Sequence, residues 1–323
     1  MSTIRLLEYQ LSCIGGLEDV AVDELQAEFG ARIRGLRVER GEVGGLYFRT
    51  EASPRRLLAL TCPTAVEAIA AQAHDVTVGQ PGLQRILHCL RGLPVEAIRR
   101  LASACDPTVD VSIVDLRITL RGAHRFTATE IEAGARPILQ SQGFHITGAG
   151  QHQPPLRLSI RVRKRRVLIT VHLGERRPVG DPQREGWSGP ALNSVCRVLD
   201  LDQDLPVATM PATRGRTDLA IAATIVAAHS SRLPVTSGTL PVFLLVADLD
   251  GAGIAEQLHE AVRIVTPGGI LGLLVRRSEQ FVALLRELEL PLDVMATIPY
   301  YVRRRRCVLF LLERLNLVGI ESI

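Results

Sequence analysis

Between Leu156 and Gly174 the chain reads LRLSIRVRKRRVLITVHLG, which commits this stretch to a sheet with one buried and one wet, basic face. Leu156, Leu158, Ile160 and Val162 alternate with Arg157, Ser159, Arg161 and Arg163. A period of two marks a strand half in the core and half in water. Lys164-Arg165-Arg166 predicts a short turn, after which Val167–Leu173 returns as the second strand. The outward face of this hairpin is then almost all guanidinium. Upstream, Val111–Leu120 reads as another strand, closed by Arg121-Gly122-Ala123-His124-Arg125-Phe126. Thr127–Gln142 reads as a helix with Thr127 or Thr129 as N-cap and Gly143 as its stop. A strand, a helix and a hairpin with arginines over one face point to a module that reads phosphates.

The rest of the chain is patterned as mixed α/β. Arg5–Cys13, Ile33–Val38, Gly44–Phe48 and Val66–Ala71 read as strands. Leu17–Phe29 and Ser53–Leu60 read as helices, the second capped by Ser53 with Pro54 at its first position. This β-α-β-β-α-β order is ferredoxin-like. Leu83–Leu90 and Val95–Cys105 predict short helices broken by Gly92 and Pro94, and the Gly- and Pro-rich Pro178–Gly189 reads as a hinge. Beyond it, Ala191–Leu199, Thr217–His229, Ile254–Val265 and Ser278–Leu288 read as helices. Leu205–Met210 reads as a strand, and Leu240–Ala247 is an apolar run suited to a strand buried on both faces. Thr266-Pro267-Gly268-Gly269 predicts a turn into the strand Ile270–Val275, and Leu292–Pro299 and Cys307–Leu312 form a last pair joined by Tyr300–Arg306. The alternation predicts a parallel sheet with one antiparallel edge.

At 323 residues the chain has room for two or three domains. A formal charge of +4 excludes a uniformly basic binder but not a local basic face. Lys164 is the only lysine, so the other basic side chains are arginines, which favour forked contacts to phosphate. The six cysteines include no C-x-x-C pair and no histidine at ligand spacing, which weighs against a zinc or iron–sulfur site. Scattered cysteines suit a reduced, cytoplasmic setting. MSTIRLLEYQ lacks the apolar core of a signal peptide, and runs such as Val242–Ala247 are too short to span a bilayer.

His124-Arg125-Phe126 after the first strand, the helix, the hairpin and the trailing His172–Arg177 together resemble a THUMP domain, the RNA-binding unit of tRNA- and rRNA-modifying enzymes. Ser12-Cys13-Ile14-Gly15-Gly16-Leu17-Glu18 and Gly41-Glu42-Val43-Gly44-Gly45-Leu46-Tyr47-Phe48 resemble the ferredoxin-like segment that precedes THUMP in RNA guanine-N2 methyltransferases. The T-P-G-G stretch and the α/β pattern around it are similar to a class I, Rossmann-like methyltransferase. The resemblance implies a ferredoxin-like segment over 1–73, a THUMP domain over 74–180 and a methyltransferase-related domain over 181–323. The fold class is thus α/β: an α+β N-terminal part, then a truncated Rossmann-like sheet.

The third part departs from that family. The cofactor loop matches Met210-Pro211-Ala212-Thr213-Arg214-Gly215-Arg216-Thr217, where Pro211 and Thr217 keep their places. The family's acid is Met210, and its glycines are Arg214 and Arg216, with Gly215 displaced between them. Long side chains obstruct a close backbone approach, and two cations would face a sulfonium. The short segment from Ala223 to Leu240 leaves no room for the second and third strands. Their loss would expose Leu205–Met210 as an edge, to be covered by Leu233–Thr239 or by a second chain. The family's base-holding motif has become Asp248-Leu249-Asp250-Gly251. In another alignment Leu240–Asp250 is the second strand, with Asp248 or Asp250 as the ribose acid.

The leading expectation is therefore a protein that binds structured RNA, tRNA or rRNA, with an inactive methyltransferase-like domain and no cofactor. One alternative is an active S-adenosylmethionine-dependent RNA guanine-N2 methyltransferase using Asp248. Another is a subunit presenting RNA to a separate enzyme, or a homodimer, through the edge at 205–210. The expected RNA contacts are Arg121, His124, Arg125, Arg157, Arg161, Arg163, Lys164, Arg165 and Arg166, with Arg303 and Arg304 as a second patch. Tyr300, Tyr301 and Trp187 are candidate base platforms, although packing suits them as well.

Overall fold

The computed structural model describes residues 7–146, 154–175, 189–199, 207–210, 235–247, 254–302 and 305–316. Its first half contains β1 (Leu7–Ile14), α1 (Glu18–Phe29), β2 (Arg34–Glu39), β3 (Val43–Thr50), α2 (Pro54–Ala59) and β4 (Ala65–Ala73). There follow α3 (Gln80–Arg91), α4 (Val95–Cys105), β5 (Asp110–Arg121), α5 (Ala128–Ser141), β6 (His145–Ile146), β7 (Pro155–Arg163) and β8 (Arg166–Glu175). The second half contains α6 (Gly189–Val198), β9 (Val207–Met210), β10 (Leu240–Ala247), α7 (Ile254–Ile264), β11 (Val265–Val275), α8 (Ser278–Leu288), β12 (Leu292–Val302) and β13 (Arg305–Arg314).

The strands of the first half form one eight-stranded sheet in the order β2-β3-β1-β4-β8-β7-β5-β6. Its ferredoxin-like part is joined to the rest by antiparallel pairing of β4 with β8, so residues on either side of 73/74 share one sheet. They also share one core, running from Tyr9, Leu25 and Phe48 to Ile131, Ile160 and Val171. The helices supply their apolar stripes to that core. Ile131, Ala135, Ile138 and Leu139 of α5 are all buried. Thr127 and Glu130 close a capping box at the start of α5, and Gly143, at φ 77°, follows its end. Ser53 stands at the start of α2 but makes no side-chain cap bond there.

The second sheet has five strands in the order β12-β13-β11-β10-β9. β9, β10 and β11 are parallel, and β13 and β12 complete the sheet antiparallel. Phe243, Leu245, Leu271 and Leu273 pack beneath α7 and α8, whose Leu258 and Phe281 are buried with them. Two expectations fail here. Thr266–Gly269 is not a turn before the strand; it lies inside β11, where the pairing jumps from Leu240↔Val265 to Val242↔Ile270. Tyr300 and Tyr301 belong to β12, not to its connection with β13.

Among the described residues β9 is the last strand of its sheet and pairs only with β10. The proposed cover Leu233–Thr239 does not reach it in its described part. Gly238 and Thr239 instead donate to the carbonyls of Arg263 and Ile264 at the end of α7. Residues 211–234 and 248–253, which include Thr217–His229, Arg214, Gly215, Arg216, Asp248 and Asp250, lie outside the described residues.

The two sheets meet at one end of the larger one. Leu17, only 1% exposed, enters a core made by α6, β10, β11 and β13, beside Val195, Leu244 and Leu311. Gly15 accepts a hydrogen bond from Tyr301 N–H at 3.1 Å. That contact explains why the Gly15-Gly16-Leu17-Glu18 motif is needed. A Cβ on Gly15 would lie 2.1 Å from the Gly41 carbonyl oxygen, so only glycine lets the two turns close. Glu18 then ties them together by accepting from Gly16 N–H at 2.9 Å and Gly41 N–H at 3.2 Å.

Candidate nucleic-acid interface

The helices cover one face of the eight-stranded sheet and leave the other polar. On β7, Leu156, Leu158, Ile160 and Val162 are buried, while Arg157, Ser159 and Arg161 lie on the polar face, as the alternation requires. That face is not a bare row of guanidinium groups. Arg157 pairs with Glu175 at 2.9 Å and approaches Asp115 at 3.8 Å. Arg161 donates to Glu67, to Gln10 at 3.0 Å and to Thr170 at 2.9 Å. Arg166, which starts β8 and is not part of the turn, lies over the Tyr47 ring at 5.5 Å and reaches Glu39 at 3.9 Å. Arg37 lies against the same ring at 5.5 Å.

These groups neutralise one another. Tyr47 donates to Glu39 at 3.0 Å; burial first, and then Glu39, push its pKa to about 12. His172 is held down at about 4 by burial and then by Arg157, with Arg117 and Arg161 adding to the effect, so it is neutral at pH 7. Arg157, Arg161 and Arg166 are therefore paired within the sheet face and do not form a bare row of cations. Their charge is already met by Glu175, Asp115, Glu67 and Glu39, residues that the sequence reading left out.

A different arrangement holds where β5, β7 and β8 end. The hairpin turn is only Lys164-Arg165, with Lys164 at φ 55°. Arg121 and Arg163 sit opposite each other on adjacent parallel strands, and Arg163 faces Arg166 across the hairpin. The backbone there is pinned. Lys164 N–H donates to Arg121 O at 3.0 Å, Arg125 N–H to Val78 O at 2.8 Å, and Val76 N–H to Arg165 O at 2.9 Å. Arg121, Arg125, Arg163, Lys164 and Arg165 are exposed, and their side chains have no acid partner among the described residues. Asp75, which feels the charge of Arg165, is engaged by Arg85 at 2.9 Å. His124 packs on Phe126 with ring centroids 4.9 Å apart, and both its ring nitrogens are buried without a hydrogen-bond partner.

Like charges in register on neighbouring strands destabilise a sheet unless a counter-charge meets them. Arginine forks are well matched to phosphate oxygens. The arrangement can therefore hold several phosphates at once. Tyr301 is at the junction of the two sheets, and Arg303, Arg304 and Trp187 lie outside the described residues, as does the side chain of Tyr300. Of the expected cofactor loop only Met210 is described, as the last residue of β9; Pro211, Gly215, Thr217 and Asp248 are not.

The sequence reading also missed a second polar cluster, at the junction. Glu24 of α1 is 3% exposed. It accepts from Thr61 N–H at 2.8 Å, Thr61 Oγ1 at 2.7 Å, Cys62 N–H at 2.8 Å and Arg197 of α6 at 3.3 Å. Burial alone would push its carboxyl up; these donors outweigh it and hold the carboxyl below the usual range. Asn193 of α6 adds a bond to Thr61 O at 3.1 Å. Among the described residues no group of His, Cys, Asp and Glu is placed to hold a metal, and no helix is long and apolar enough to cross a membrane.

No family model matches the chain, and no curated protein matches it. Solved structures do. TrmN from Thermus thermophilus superposes with a TM-score of 0.67 at 18% identity, over 96% of this chain and 100% of that one. SMU.472, solved in complex with SAH, gives 0.56 at 9% identity over 94% and 97%. An N6-adenine-specific DNA methylase from Listeria monocytogenes, so named by prediction, gives 0.52 at 11% identity over 95% and 96%. The chain has the α/β fold of these proteins along nearly its whole length.

Proposed function

We propose that this protein binds structured RNA of the tRNA or rRNA kind through the tip of its eight-stranded sheet, and that it shares the design of THUMP-containing RNA methyltransferases. The observation that carries the reading is the cluster of Arg121, Arg125, Arg163, Lys164 and Arg165, exposed and without acid partners among the described residues. The whole-length likeness to TrmN, and to SMU.472 with bound SAH, supports S-adenosylmethionine-dependent methyl transfer as the work of the second half, and a guanine N2 is the acceptor that the sequence resemblance implies.

A second reading rests on sequence. Arg214 and Arg216 stand where such a loop needs a close backbone approach, and Asp248 has lost the prolines and the aromatic that would hold a base. In that reading the protein holds RNA without methylating it, alone or for a separate enzyme, and takes no cofactor. Calorimetry with S-adenosylmethionine and S-adenosylhomocysteine, together with labelled-methyl transfer to bulk tRNA and rRNA, separates the two. Micromolar cofactor binding, or transfer abolished by Asp248→Ala, supports the enzyme. Silence in both assays with RNA binding intact supports the second reading, and a methyltransferase co-purifying with the chain identifies it as a presenting subunit.

A further inference from the structure

We propose that Arg85 of α3 is a positioning residue that keeps the tip open for RNA by holding Asp75 away from Arg165. The proposal rests on the RNA-binding reading above and names a residue outside the cluster on which that binding depends. Asp75 stands in the connection between β4 and α3, and that connection is fixed against the tip. The pairing of β4 with β8 ends at Ala73 and Val167, and just beyond it Val76 N–H donates to the Arg165 carbonyl at 2.9 Å. Two residues later the Val78 carbonyl accepts from Arg125 N–H at 2.8 Å. From the other side the first turn of α3 presses on the same segment, where a Cβ on Gly82 would run into the Thr77 carbonyl oxygen. Asp75 therefore cannot withdraw from the cations.

An acid held beside a cation on the neighbouring chain is expected to pair with it. Asp75 does feel the charge of Arg165, yet its carboxylate is engaged elsewhere. Arg85, three residues along α3 from Gly82, donates from Nε to Asp75 Oδ1 at 2.9 Å. That bond first, and the charge of Arg165 last, hold the Asp75 carboxyl below the usual carboxylate range, so it is an anion at neutral pH. Paired with Arg85, the anion is met outside the cluster. Paired with Arg165, it would take one cation from a phosphate and set a negative charge in the path of its neighbours. Ion pairs between exposed side chains are weak, so removing Arg85 is enough to hand Asp75 to the cation that remains.

The test is a double-mutant cycle on the full chain, read as the affinity for end-labelled bulk tRNA. The variants are Arg85→Gln, Arg165→Gln and the two together, then Asp75→Asn alone and with Arg85→Gln, each checked for fold by circular dichroism. Arg85→Gln and Arg165→Gln should each weaken binding about fivefold, and Arg165→Gln should add less than about twofold once Arg85 is gone. Asp75→Asn should restore the Arg85→Gln variant to within about twofold of the wild type, and alone should change affinity by less than about twofold. A mere effect of net charge gives another pattern: the two losses multiply, and Asp75→Asn strengthens binding equally with or without Arg85. That pattern, or single arginine variants that bind as the wild type does, overturns the inference and leaves the RNA-binding reading standing. A wild-type chain that binds neither tRNA nor rRNA overturns both.

Discussion

The two ends of the eight-stranded sheet handle charge in opposite ways. At the junction with the second sheet, Glu18 and Glu24 are buried and surrounded by donors, and one of those donors, Arg197, comes from α6. At the other end, Arg121, Arg163, Lys164 and Arg165 face water with no acid bonded to them among the described residues, the nearby Asp75 being engaged by Arg85. A saturated buried carboxylate is a fastening, because losing it would leave buried donors such as Cys62 N–H without a partner. An unsaturated cation cluster contributes nothing to the fold and is available to a ligand. The comparison assigns holding to one end and, in the proposed function, binding to the other, while Arg157, Arg161 and Arg166 are paired with acids of the sheet face.

The junction should show the largest stability effects. Leu17→Ala removes a buried side chain from the shared core and is expected to cost about 2–5 kcal/mol. Glu24→Ala leaves the Thr61 and Cys62 N–H groups buried without acceptors and is expected to cost about 2–4 kcal/mol. Urea unfolding measures both. If either variant is as stable as the wild type, Leu17 and Glu24 are not fastenings.

Arg161→Met should come next, at about 1–3 kcal/mol, because Glu67 and Gln10 lose their donor on a half-buried face. RNA affinity of the folded variant should stay close to wild type. A large loss of affinity without loss of stability would return Arg161 to the binding surface.

Acid should loosen the junction before it disturbs the tip. The Glu24 carboxyl is depressed in the folded chain, so its contribution is fully present above its unfolded value of 4.5 and is lost as pH falls through the lower folded value. Glu24→Gln should lack that part of the acid sensitivity. Parallel stability–pH curves for the two proteins below pH 4.5 would contradict the assignment.

Much of this was legible in sequence where the signal is local. The β7–β8 hairpin follows from a period of two, and the α5 boundaries follow from Gly143 and from Thr127, which caps the helix where Thr129 was the other candidate. The apolar run Leu240–Ala247 is the strand it was expected to be, with Val242, Phe243, Leu244 and Leu245 buried on its two faces. What failed was non-local. The sequence around Arg161 gives no sign of Glu67, 94 residues away, or of Gln10, 151 residues away. Nor does anything near Ala65–Ala73 announce that β4 will pair with β8 and fuse two expected units into one sheet. The alternation therefore placed the arginines on one face but could not say which of them would be paired with acids from distant strands. Thr266–Gly269 failed for a related reason: proline and glycine punctuate a chain locally, yet β10 holds this stretch within a strand.

The tip should show the smallest effect on stability and the clearest effect on function. Arg163→Gln/Lys164→Gln/Arg165→Gln should change unfolding free energy by no more than about 0.5 kcal/mol, as expected of exposed side chains without partners. The decisive measurement is the salt dependence of RNA affinity for that variant beside Arg157→Gln/Arg161→Gln. Each lost phosphate contact lowers the slope of log K against log salt by about one. The account predicts that the tip variant loses about two to three units of slope and the strand variant loses almost none. A slope unchanged at the tip and reduced in the strand variant would contradict it.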